Sequence, residues 1–145
     1  MNLGYPLVVI DNFLGEPDAV LDIARNTEFL YNEVGNFPGK RSKPLHELNE
    51  RLFQYIGRKI FTIFQNPQPD SWELIINFQK IKSFTPDDQY SLVNRGCIHT
   101  DKKSWFGGVI YLDPEPEPDT GTSIYKLKKG YTFYHQHELQ LKEAL

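Results

Sequence analysis

A chain of 145 residues, with 16 Lys and Arg against 19 Asp and Glu and a net charge of −3, has room for one domain with a real core and not for two. The slight acidity excludes an overall basic nucleic-acid surface, and no apolar run is long enough to span a bilayer. A single cysteine, Cys97, excludes an internal disulfide framework. With no charged and apolar leader at Met1-Asn2-Leu3-Gly4, it indicates a reducing, cytoplasmic setting.

In chain order, Leu7-Val8-Val9-Ile10 predicts a short buried strand. Gly15-Glu16-Pro17-Asp18 predicts a helix start, because proline is tolerated in a first turn and carboxylates are favoured near the positive dipole end. Val20, Ile23 and Ala24 give that helix an apolar stripe ending near Arg25-Asn26. Residues 33–44 read as a loop, broken by Gly35, Pro38, Gly39 and Pro44. Residues 44–64 predict one long helix, with Leu45, Leu48, Leu52, Ile56, Ile60 and Ile63 at three- and four-residue steps. Gly57 is a tolerated weak point inside it.

After the Asn66-Pro67-Gln68-Pro69-Asp70 turn the period changes to two. Trp72, Leu74, Ile76 and Phe78 share one face of an expected strand, with Glu73, Asn77 and Gln79 mainly on the other. Tyr90 to Val93 and Val109 to Leu112 predict two further short strands. Asp113 to Asp119 is an acidic loop in which every second residue is proline, too proline-rich for a sheet interior. Thr120 to Tyr125 is extended again and is expected to pair with 109–112 through that loop. Glu138 to Leu145 favours helix. Helices first and strands afterwards predict an α+β domain, its antiparallel sheet packed by the N-terminal helices. The parts are an N-terminal strand and helices (1–65), a β-rich half (70–130) and a helical tail (131–145).

The chemistry concentrates at Cys97-Ile98-His99-Thr100-Asp101. On an extended backbone alternate side chains share a face, so His99 and Asp101 point the same way. One imidazole and one carboxylate make two thirds of the two-His-one-carboxylate set that leaves positions open on non-haem Fe(II). Cys97 reads as a small buried apolar group. By itself a His-x-Asp triplet is a weak signal.

Its setting is more specific. Ile98-His99-Thr100-Asp101, then Gly107-Gly108-Val109-Ile110-Tyr111-Leu112-Asp113-Pro114, then Thr120-Gly121-Thr122-Ser123-Ile124-Tyr125, resembles the proximal half of the 2-oxoglutarate and Fe(II)-dependent oxygenases. More narrowly it is similar to an uncharacterised branch with a prolyl-hydroxylase-like layout. Asn36-Phe37-Pro38-Gly39-Lys40-Arg41 matches an upstream "Phe-Pro-Gly-x-Arg" segment of the same branch. The resemblance covers most of residues 5–130.

The resemblance implies a double-stranded β-helix, or jelly roll, with the metal at its open end. It implies His99 and Asp101 as Fe(II) ligands, and 2-oxoglutarate as the cosubstrate whose decarboxylation drives hydroxylation of a C–H bond. The family's distal His, and the basic residue that pairs with the far carboxylate of 2-oxoglutarate, have no match at the usual spacing. The expectation is therefore a jelly roll incomplete at its C-terminus. His135 and His137 are the imidazoles downstream of Asp101; His137 is the candidate third ligand, against the plainer reading of both as exposed histidines at a helix start. Arg41, Asn77, Tyr111 and Thr122 are candidates for the cosubstrate pocket, with loop anchoring (Arg41) and core packing (Tyr111) as the alternatives.

Three functions follow. The leading one is a hydroxylase-type oxygenase domain acting on a small molecule or a protein. The alternative is a non-catalytic jelly-roll binding or structural module. A cupin-like metal protein without oxoglutarate ranks third, because such sites use more histidines than this region offers. Nucleic acid and membrane are not expected as partners. Exposed sheet edges of a half jelly roll predict a homo-oligomer.

Overall fold

The computed structural model of the chain describes residues 7–31, 37–64, 73–83, 85–87, 104, 106–118 and 120–124. Pro17 opens the first helix, α1 (Pro17–Arg25), with Asp18 in its first turn and Arg25 in its last, each complementing the helix dipole. Val20 and Ala24 are buried and Ile23 packs beside them, as the apolar spacing predicts.

The long helix expected over 44–64 is two helices, α2 (Leu45–Leu48) and α3 (Glu50–Phe64). Asn49 separates them with an extended backbone, φ −156° and ψ 90°. Its carbonyl accepts the Phe53 N–H at 3.0 Å, and its side-chain Oδ1 accepts the Leu52 N–H at 3.0 Å. Asn49 is thus the N-cap of α3, a role typically worth about 1 kcal/mol. The apolar stripe passes through the break, which is why periodicity alone runs the two together. Leu45 and Ile56 are buried, whereas Leu48 and Ile63 at the stripe's margins are exposed, and Phe53 joins the core in their place. Gly57 abuts the segment before the third strand: a Cβ there would stand 3.4 Å from Leu74 Cδ2, at the edge of ordinary van der Waals contact.

Three strands form one antiparallel sheet in the order β1-β2-β3: β1 (Leu30–Tyr31), β2 (Lys40–Pro44) and β3 (Asn77–Lys80). The 33–44 loop expectation is corrected at its C-terminal end, where 40–44 is the central strand. Lys-Arg-Ser-Lys-Pro has no apolar alternation, so its extended state comes from pairing on both sides and not from its own pattern. Leu30 pairs with Arg41 and Tyr31 with Lys40. The Lys40 ammonium also lies 4.0 Å from the centre of the Tyr31 ring. Pro44 is tolerated because β1 does not reach it.

The expected strand over 72–79 is shorter, beginning at Asn77, but its alternation holds: Leu74, Ile76 and Phe78 face the core. Residues 7–10 correct the N-terminal expectation. They are not in a strand, and all four are exposed, Val9 at 79%. An apolar run is buried only where another element covers it. Residues 109–112 and 120–124 are not in strands either. Ile110 and Leu112 nevertheless pack on the core while Tyr111 between them is exposed, so the period of two survives without a ladder. The expected strand over 90–93 and the helical tail lie outside the described residues.

The chain divides into two compact units. The first comprises Met1–Tyr31, Lys40–Lys80 and Ile110–Pro116; the second comprises Asn32–Gly39, Ile81–Val109 and Glu117–Leu145. The core of the first unit is Leu14, Val20, Ala24, Leu45, Phe53, Ile56 and Phe78. In the second, the Ser83 N–H and hydroxyl both donate to Glu117 Oε2, at 3.0 and 2.8 Å. Those donors hold the Glu117 carboxyl below the usual carboxylate range. The architecture is α+β with a small antiparallel sheet, and among the described residues no helix is long and apolar enough to cross a membrane.

Candidate functional site

Two polar arrangements stand out on the first unit. One is the β2–β3 pair. Arg41 and Gln79 are register partners, and the Arg41 Nε–H donates to Gln79 Oε1 at 3.0 Å. Burial pushes the Arg41 guanidinium below its ordinary pKa, the direction expected when a cation is partly withdrawn from water.

Beyond Arg41 the register shifts, and Pro44 is next to pair, with Asn77. Ser42 repairs the ladder across this irregularity. Its hydroxyl is buried, accepts the Phe78 N–H at 3.0 Å and donates to the Lys43 carbonyl at 2.7 Å. The Asn77 Nδ2–H donates to the Ser42 carbonyl at 3.0 Å. Replacing Ser42 by alanine strands the buried Phe78 N–H, and the expected cost is about 1–3 kcal/mol of unfolding free energy. Urea titration measures it; a loss below about 0.5 kcal/mol, the scale of an ordinary surface change, would contradict the bridging role.

Two of the sequence-derived pocket residues, Arg41 and Asn77, therefore lie on the paired strands β2 and β3, Arg41 bonded to Gln79 and Asn77 to the Ser42 carbonyl. Tyr111 belongs to the same unit and is 63% exposed, which goes against simple core packing. Thr122 belongs to the second unit and is exposed. His99, Asp101, His135 and His137 lie outside the described residues. Among the described residues no group of three or more His, Cys, Asp or Glu side chains is placed to hold a metal ion.

The second arrangement was not singled out from sequence. It is a groove of about 680 Å³ along α3, lined by Phe13, Arg51, Tyr55, Arg58 and Lys59 among others. Lys59 organises one side of it. Its ammonium donates to the Phe13 carbonyl and lies 5.4 Å from the Phe13 ring centre and 5.1 Å from that of Tyr55. The Tyr55 hydroxyl accepts the Gly15 N–H at 3.3 Å. Hydrogen bonding to Lys59, and then to Gly15, holds the Tyr55 phenol below its ordinary pKa. Arg51, Tyr55 and Arg58 at i, i+4 and i+7 mark one helix face in the sequence; the Phe13–Lys59 contact, 46 residues apart, has no sequence signal.

The comparisons with curated proteins and with solved structures return no match. A family model does match, over residues 1–143: the chain belongs to DUF6445, a family of unknown function.

Proposed function

We propose that this member of a family of unknown function is an Fe(II)/2-oxoglutarate-dependent oxygenase domain of the hydroxylase type, built on a jelly roll. The observation that carries the reading is the order of four separated segments. These are Asn36–Arg41, then His99 and Asp101, then Gly107–Pro114, then Thr120–Tyr125. The α+β architecture, with helices packed on an antiparallel sheet, is compatible with it.

The donor set suits the metal. A neutral imidazole and a carboxylate two positions apart are borderline and hard ligands of the kind Fe(II) takes when it must keep sites open. His99 and Asp101 are the two we assign, with His137 the candidate for the third position. When bound, the iron and 2-oxoglutarate supply the oxidising power: O₂ is consumed, the cosubstrate is converted to succinate and CO₂, and one oxygen atom enters a C–H bond of the substrate. The chain's own part is orientation and exclusion of water. Arg41, whose Nε–H is held by Gln79 Oε1, is the candidate that would pair with the cosubstrate's far carboxylate. Asn77, Tyr111 and Thr122 are the further cosubstrate-binding candidates.

The test needs no substrate. Iron-loaded protein is expected to form succinate slowly from 2-oxoglutarate under O₂, and His99→Ala and Asp101→Ala to abolish it. Folded, iron-treated wild-type protein that forms none would overturn the oxygenase reading and favour a non-catalytic jelly-roll module.

A further inference from the structure

We propose that the groove on α3 receives the acidic, proline-alternating segment Asp113–Pro116 of a second copy of this chain. The groove carries the guanidinia of Arg51 and Arg58 with the Lys59 ammonium, against a single carboxylate, Glu50. That carboxylate is already engaged, accepting the Gln54 Nε2–H at 2.7 Å. Lys59 is turned to the Phe13 carbonyl, but Arg51 and Arg58 have no ion-pair partner among the described residues. Two exposed cations seven residues apart on one helix stand about 10 Å from each other along its axis, with Tyr55 between them. A guanidinium fork is matched to a carboxylate. The groove therefore suits an anionic, preformed segment with some apolar surface.

The chain contains one. Asp113-Pro114-Glu115-Pro116 is exposed along its length. Asp113 Oδ1 accepts the Glu115 N–H at 3.0 Å, an Asx turn, and the prolines fix two backbone φ angles. The segment is thus a rigid turn that loses little freedom on docking. Its Glu115 carboxylate has no partner among the described residues, and none of residues 113–116 lines the groove of its own chain. A basic groove and an acidic turn on one molecule that do not meet within it are complementary between copies. The contact rests on charge, so it differs from association through sheet edges and is independent of the metal site.

Sedimentation velocity at low and high salt tests the proposal on the full chain. Self-association is expected at about 50 mM salt and is expected to weaken at about 0.5 M, where the Debye length has shrunk below about 5 Å. The double variants Arg51→Glu with Arg58→Glu, and Asp113→Lys with Glu115→Lys, should each associate at least about tenfold more weakly than wild type. Mixed in equal amounts, they should associate again, because each groove then faces a turn of opposite charge. That recovery also separates a lost contact from a lost fold. A wild type that stays monomeric at low salt, or association unmoved by salt and by both reversals, would overturn the proposal. Inorganic phosphate or polyglutamate that binds the groove while the chain remains monomeric would also overturn it, assigning the groove to another anion.

Discussion

Leu45→Ala is expected to lower the unfolding free energy by about 2–5 kcal/mol, the largest stability loss of any single truncation in the first unit. Leu45 is the one side chain with no exposed surface among the described residues. It stands at the first position of α2, where β2 ends and the helical layer begins. Its backbone ties both layers: the Leu45 N–H donates to the Ile76 carbonyl at 2.7 Å, and its carbonyl accepts the Asn49 N–H at 2.7 Å. Those bonds hold the site open when the side chain is shortened, so the lost methyl groups leave a cavity that cannot collapse fully. Leu48→Ala, one turn on and 37% exposed, is the control and should cost less than about 1.5 kcal/mol. Urea midpoints at constant slope measure both. Equal losses would mean that the core does not centre where α2 begins.

The second large effect concerns metal. His99→Ala and Asp101→Ala are each expected to weaken Fe(II) binding by more than about 100-fold, since even outer-shell changes at metal sites cost 10–100-fold. An imidazole would contribute a neutral nitrogen and a carboxylate a charge, so neither would replace the other. The double variant should bind little worse than either single one, because the remaining ligand alone no longer makes a site. Without metal, the three variants should melt with the wild type. A variant that loses metal and fold together would point to a structural role instead. Isothermal titration under anaerobic conditions reads the affinity.

How much was legible follows from where each signal resides. α1 was readable because its start, stripe and end are local: Pro17 and Asp18 at one end, Val20 and Ala24 at 3.6 periodicity, Asn26 at the other. The core face of α3 was readable for the same reason. The break at Asn49 carried a local sign, a capping residue followed by Glu50, but an unbroken apolar stripe outweighed it. β2 was not legible. Its five residues become a strand through partners up to 40 positions away, with Ser42 closing the irregularity against Phe78. Residues 7–10 mark the opposite failure, an apolar run read as buried that stands exposed. For the site, residue type and spacing single out His99 and Asp101 as candidate ligands, whereas the meeting of Arg41 with Gln79 and of Asn77 with Ser42 depends on strand register that no local pattern encodes.

The most direct measurement of the central claim is anaerobic titration of Fe(II) into the protein with 2-oxoglutarate, followed in the visible range. Chelation of a protein-bound iron by the keto acid produces a metal-to-ligand charge-transfer band. That band is expected in the wild type, saturating at one iron per chain, and is expected to be lost in His99→Ala. A folded wild type that develops no band would contradict it.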